Sequence, residues 1–181
     1  MAVAMSGGVD SSMAAALLEE AGARVVGVTF YLSDASPPAW DDAARVCEVI
    51  GIPHYRLDLR RSFRGEVVER FEREYLSGMT PNPCVHCNAR VKWRSLWAAA
   101  RTMGVEWIAT GHYARTAVDE GGNVRLLRGD DRNKDQSYFL WKLPPELLAR
   151  TIFPLGGRTK SEVREAARRR GLPAAEGPES R

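Results

Sequence analysis

Short apolar runs alternate with longer amphipathic stretches along this chain. Residues 2–5 are apolar, and residues 24–31 (RVVGVTFY) are β-branched and aromatic, so both read as buried strands. Residues 55–59 alternate as a third strand, and residues 105–110 form a fourth after a helical stretch. Helical patterns occupy residues 13–20, 41–50 and 88–103. Gly22 is placed to stop the first, and Ser62 to cap a further helix running to Tyr75. Strands separated by helices in short units predict parallel strands joined by crossover helices, and hence a doubly wound α/β sheet. Residues 113–118 and 124–128, joined by Glu120-Gly121-Gly122-Asn123, predict a hairpin. Thr159 with Glu162 three residues on is a capping box, and Gly171 with Pro173 ends that last helix. The pattern divides into an α/β unit over residues 1–150 and a helical extension over residues 151–181.

Composition narrows the class. The 181 residues are 44% apolar and 27% charged, ordinary for a globular protein. No apolar run approaches the roughly 20 residues that span a membrane. The N-terminus meets a polar turn at once and has no basic leader, so a cytoplasmic location is expected. The net charge of +3 is carried entirely by residues 158–181, where seven basic residues face four acidic ones. That is compatible with an anionic partner and equally with a solvated helix face. Three cysteines without a secretion signal argue against a disulfide framework.

Ser6-Gly7-Gly8-Val9-Asp10-Ser11-Ser12 lies between the first strand and the first helix. Gly7 and Gly8 allow close backbone approach to an anion, Ser11 and Ser12 offer hydroxyls, and a helix N-terminus supplies amides and a positive dipole end. The loop is neither G-x-G-x-x-G nor G-x-x-x-x-G-K-[ST], which disfavours a dinucleotide fold and a Walker ATPase. Asp10 in such a cradle calls for a Mg²⁺ or a donor opposite it.

Cys84 and Cys87 form a C-x-x-C behind Pro81 and Pro83, a spacing used for redox chemistry, for metal or cluster ligation and for sulfur handling. Asn88 reads as the N-cap of the next helix, which would place Cys87 where a thiolate is favoured. Cys47 lies mid-helix between apolar neighbours and reads as core. His86 is a further potential metal ligand, though a fourth ligand for a zinc site is missing; His54 carries no evident chemistry.

Four motifs stand in one order: S-G-G-V-D-S-S at residues 6–12, T-P-N-P-C-V-H-C-N at 80–88, T-G-H-Y-A-R at 110–115 and K-D-Q-S-Y-F-L at 134–140. The first resembles the pyrophosphate loop of the ATP pyrophosphatases, also called the adenine nucleotide alpha hydrolase-like fold. Together the four resemble the tRNA-specific 2-thiouridylases, over essentially the whole chain. That resemblance implies an enzyme that uses ATP and Mg²⁺ to adenylate the C2 oxygen of a wobble uridine in tRNA and replaces it with sulfur. It implies ATP contacts from Ala4, Met5, Ser6, Gly7, Gly8, Val9, Asp10 and Ser11, with Phe30 (where Met is the family's usual residue) and Gly111 near the adenine and ribose. Asn82, Pro83 and Cys84 would approach the target base, and His112, Lys134, Asp135 and Gln136 the tRNA.

Cys87 matches the family's nucleophilic cysteine. Sulfur would come from a cysteine desulfurase or a sulfur relay protein, through a persulfide on that cysteine. Alternatively, Cys84 and Cys87 would be ligands of a [4Fe–4S] cluster, because Cys rather than Asp stands at position 84. Plainer roles remain open: a turn hydrogen bond for His112, a phosphate contact for Lys134, core packing for Tyr138 or Phe139. The resemblance also places a second functional cysteine beyond a segment whose start matches Pro178-Glu179-Ser180, so poor thiolation is expected from these 181 residues alone. The competing readings are an amidating or ligating ATP pyrophosphatase, a truncated ATP- and tRNA-binding module without full activity, and a non-catalytic module that binds nucleic acid and ignores ATP.

Overall fold

The computed structural model describes residues 1–35 and 40–177. Its centre is a five-stranded sheet in which β1 (Ala2–Ala4), β2 (Val26–Tyr31), β3 (His54–Asp58), β4 (Ile108–Ala109) and β7 (Thr151–Ile152) stand in the order β3-β2-β1-β4-β7. All four pairings are parallel. The alternation of strand side chains sorts the core into two layers. Val3, Met5 and Ala109 pack under α1 (Val9–Glu20), α2 (Trp40–Ile50) and α8 (Lys160–Arg169). Ala2, Val28 and Ile108 pack on the opposite face, against Trp93, Leu96 and Ala100 of α6 (Trp93–Thr102) and Leu147 and Leu148 of α7 (Pro145–Leu148). Helices on both faces make the sheet doubly wound, as the alternating pattern predicts. Among the described residues, no helix is long and apolar enough to cross a membrane.

Several boundaries move. The first helix begins at Val9, so the serines assigned to a turn lie in its first turn. Their hydroxyls bond back to the Gly8 carbonyl, at 3.1 Å from Ser11 and 2.9 Å from Ser12, and satisfy themselves without ending the helix. Ser62 caps nothing, because it lies inside α3 (Arg60–Phe63); a π-helical turn, Arg64–Val68, then leads into α4 (Glu69–Leu76). Asn88 is likewise interior. The N-cap is Asn82, whose side chain accepts from the Cys84 amide at 3.1 Å, with Pro83 opening α5 (Pro83–His86). A π-helical turn, Cys87–Lys92, joins α5 to α6.

The hairpin forms from β5 (Ala114–Val118) and β6 (Val124–Arg128), paired antiparallel. The capping box at Thr159 is present in full. β7 pairs with β4, and Val163, Ala166 and Ala167 of α8 join the core beneath α1, so residues 151–177 complete the same sheet and core. The Pro178-Glu179-Ser180 match lies outside the described residues.

Candidate nucleotide and thiol site

The strand order reverses between β1 and β4, the switch point where open α/β sheets bind ligands beyond their carboxyl ends. The loop 6–12 leaves β1 there, and the turn Thr110-Gly111-His112 leaves β4 beside it. Gly7 takes a left-handed φ of 74°, which turns the chain into α1. The N-cap is Gly8, with no side chain to occupy the first amides of α1, so those donors and the dipole end face the switch point. Ser11 braces the loop by accepting from the Ser6 amide at 3.1 Å; its hydroxyl and that of Ser12 are buried, so the anion donors here are the backbone amides. A Cβ at Gly111 would lie 2.6 Å from the Asp10 carbonyl carbon and 2.7 Å from the Ser11 nitrogen. Only glycine lets the β4 turn close against the helix start.

Asp10 meets a donor. Its carboxylate accepts from the Lys160 ammonium at 2.7 and 2.6 Å and from the Tyr113 hydroxyl at 2.8 Å. The pair is largely buried, with side-chain exposures of 12% for Lys160 and 22% for Asp10. The arrangement matches the Asp10 charge with an ammonium and does not present it to a divalent cation. Nothing in the sequence pattern singles out Lys160; the only available signal was the capping box, which fixes it as the first residue of α8.

Phe30 packs at the edge of the α6-side core, with Leu57 opposite it in β3. His112 hydrogen-bonds through Nδ1 to the Thr110 hydroxyl at 3.0 Å and tilts against Trp93, ring centroids 5.3 Å apart. Burial, with a smaller push from Lys92, lowers its pKa to about 3, so the ring is neutral at physiological pH. Trp93 is itself anchored by its indole N–H on Thr151 at 3.0 Å.

The segment around residues 134–136 is tied to the backbone. Asp135 accepts from the amides of Gly129 and Ser137, at 3.0 and 3.1 Å, and from the Ser137 hydroxyl at 3.0 Å. Burial works against its ionisation, but those bonds hold its carboxyl below the ordinary value. Gln136 accepts from the Tyr113 amide through its side chain at 3.0 Å and donates its own amide to the Tyr113 carbonyl at 2.9 Å. Both side chains thus shape the turn that carries Tyr138 and Phe139, whose rings lie 3.8 Å apart; Tyr138 is exposed and Phe139 half-buried.

The two thiols differ. Cys84 is exposed, in the first turn of α5. Cys87 is buried with Val67 and Val91, against Leu32 and Leu59, which follow the carboxyl ends of β2 and β3. Because the helix starts at Pro83, Cys87 falls in its second turn, away from the free amides. Burial pushes its thiol up against the pull of Lys92. The expected bias of Cys87 toward thiolate is therefore absent in this conformation. Cys47 is core, as its neighbours predict; burial raises it to about 11, and it touches β2 where Gly27 leaves no room for a Cβ. His54 bonds Thr29 at 2.8 Å. Among the described residues no group of three or more His, Cys, Asp or Glu side chains could hold a metal. Two thiols do not supply a cluster's usual four ligands, so the residues present do not fit an iron–sulfur cluster by themselves.

The family described as the tRNA methyl transferase HUP domain matches residues 1–181. The tRNA-specific 2-thiouridylase MnmA of Sorangium cellulosum (strain So ce56) is 53% identical over 98% of this chain. The chain belongs to the tRNA methyl transferase HUP domain family. The thiouridylases of Moorella thermoacetica (strain ATCC 39073 / JCM 9320) and Roseiflexus sp. (strain RS-1) are 52% and 48% identical, again over 98% of it. The chain covers 49%, 54% and 55% of these three thiouridylases, about half their length. Among solved structures, the NMN synthetase of Francisella tularensis superposes with a TM-score of 0.65 at 20% identity, over 99% of this chain and 65% of that one. A glutamine-dependent NAD+ synthetase from Acinetobacter baumannii, in complex with ADP, gives 0.61 at 16%, over 93% of this chain and 28% of that one. Those two likenesses concern the fold, an adenine nucleotide alpha hydrolase-like sheet.

Proposed function

We propose that this chain is the ATP-activating part of an enzyme that exchanges the C2 oxygen of a wobble uridine in tRNA for sulfur. One observation carries the reading: the uncapped start of α1 meets the Gly111 turn at the switch point, on the same sheet edge where Cys87 packs over the ends of β2 and β3. In this reading the backbone from Ala4 to Ser11 receives the ATP phosphates, Lys160, held on Asp10, adds a fixed cation, and Phe30 and Gly111 border the adenine and ribose. The uridine C2 oxygen attacks the α-phosphorus and pyrophosphate leaves; Mg²⁺, when bound, would screen the departing charge.

Sulfur from a cysteine persulfide then attacks C2, and AMP leaves with the original oxygen. Cys87 is the residue assigned to hold that persulfide, loaded by a cysteine desulfurase or relay protein. A second thiol breaks the S–S bond, forms a disulfide with Cys87 and leaves sulfur on the base; a thiol reductant resets the pair. Asn82, Pro83 and Cys84 present the entrance to this thiol, and the buried Cys87 must be uncovered when RNA docks. His112, Lys134, Asp135 and Gln136 set the tRNA-facing turns, His112 as a neutral ring.

The test is mass spectrometry of tRNA incubated with the chain, ATP, Mg²⁺ and a cysteine desulfurase with free cysteine as the persulfide source, beside pyrophosphate exchange. Exchange stimulated by tRNA, with the mass change of an oxygen-to-sulfur replacement once a second thiol is supplied, supports the reading. Exchange stimulated by a small carboxylic acid instead of tRNA would favour an amidating relative, and the mass of an added methyl group would sink the thiolation step.

A further inference from the structure

Beside the C-x-x-C helix lies a cleft of about 290 Å³ lined by Arg70, His86, Arg90, Arg94 and Lys142. Three separated stretches deliver its cations. Arg70 comes from α4, Arg90 and Arg94 from the helical rod 83–102, and Lys142 from the segment after the turn Ser137–Phe139. His86, Arg90 and Arg94 recur every four residues and so line one side of the rod. Arg70 is partnered by Glu74 at 2.7 Å. Among the described residues no ion pair engages Arg90, Arg94 or Lys142. Like charges gathered in a concave site repel one another unless an anion balances them. Burial lowers the pKa of His86, and Lys142, Arg70 and Arg90 push it the same way, so the cations converge closely enough to act on one ring.

The segment that carries Lys142 points to the class of anion. Tyr138 and Trp141 are 56% and 63% exposed, and the Lys142 ammonium lies 5.0 Å from the centre of the Trp141 ring. Flat exposed rings beside a basic cleft are the arrangement on which unpaired bases stack while their phosphates are held. Cys84, exposed two residues before His86, opens onto the same helix. We propose that this cleft seats a backbone phosphate of the RNA strand carrying the target uridine, with a neighbouring base stacked on Trp141. The proposal rests on the thiouridylase reading above.

The test is tRNA binding to the 181-residue chain across a salt series. Neutralising the cleft with R90Q/R94Q/K142Q is expected to weaken binding about tenfold or more at low salt and to lower the log–log salt slope by about one, the loss of one phosphate contact. R90K/R94K keeps the charge and the slope. W141A weakens binding a few-fold with the slope unchanged, as a base contact requires. ATP binding and the melting temperature report that each variant is folded. A folded triple variant with parental tRNA affinity and slope would overturn the proposal. A parental chain that binds ATP but no tRNA would overturn it together with the reading beneath it.

Discussion

At the scale of single residues, environment separates side chains that the sequence presents as equals. The C-x-x-C offers two cysteines, but Cys84 is exposed while Cys87 is buried and its thiol raised. Because the thiolate is the reactive form, limited alkylation of the native chain should label Cys84 first and leave Cys87 and Cys47 slow, all three becoming equal in denaturant. Peptide mapping after a short iodoacetamide pulse reads this, and native labelling of Cys87 as fast as Cys84 would contradict the burial. His112 gives a second outcome. Its pKa is lowered, from the ordinary 6.5 to about 3, so between those values the unfolded chain takes up a proton that the folded chain refuses. Its contribution is fully present above about pH 6.5 and is lost as the pH falls, with a slope of at most about 1.4 kcal/mol per pH unit. His112→Asn keeps a partner for Thr110 and removes the titration. Urea unfolding between about pH 7 and pH 5 should therefore show a flatter decline for the variant; parallel curves would show that His112 is not buried as described.

At the scale of elements, the site depends on how closely two loops approach. The Cβ that alanine would add at position 111 falls 2.6 Å from the Asp10 backbone, whereas at Gly65 nothing lies within 4 Å. Gly111→Ala must push the β4 turn away from the start of α1, at a cost of about 1–3 kcal/mol, with weakened ATP binding. Gly65→Ala, within a helical turn, should be neutral or stabilising by about 0.5–1 kcal/mol. Paired melts and nucleotide titrations compare them, and an undisturbed Gly111→Ala would show that the β4 turn and the start of α1 do not approach this closely. The same scale shows what the sequence made legible. Apolar runs announced β1 and β2, and the Gly-rich tetrad announced the β5–β6 turn, because those signals are local. The start of the thiol helix is ambiguous in the sequence because two asparagines, Asn82 and Asn88, both suit a cap. Pro83 decides for the first, and Asn88 instead donates to the Phe139 carbonyl at 3.2 Å, a partner 51 residues away. The π-helical turns have no residue signature, and the two-residue β7 has too few positions to show a period.

At the scale of the molecule, the loop that the sequence marks most clearly is completed by a residue that it does not mark at all. Asp10 and Lys160 are 150 positions apart, and they meet because α8 packs beneath α1. This contact makes residues 151–177 part of the candidate site's foundation and explains why an acid is tolerated beside the free amides at the start of α1. A largely buried charge stripped of its partner is costly, whereas removing both partners is much less so. Lys160→Met should therefore destabilise the chain by about 2–4 kcal/mol, Asp10→Asn by a comparable amount, and the double variant by less than the sum, a coupling readable in a double-mutant cycle by urea unfolding. ATP binding separates structure from function. If the Lys160 ammonium also serves the phosphates, the double variant recovers stability yet still binds ATP about tenfold or more weakly, the loss expected for one charge-assisted bond. Recovery of both stability and affinity in the double variant would reduce Lys160 to a brace for the loop, and additive unfolding energies would mean that the two groups do not form the buried pair at all.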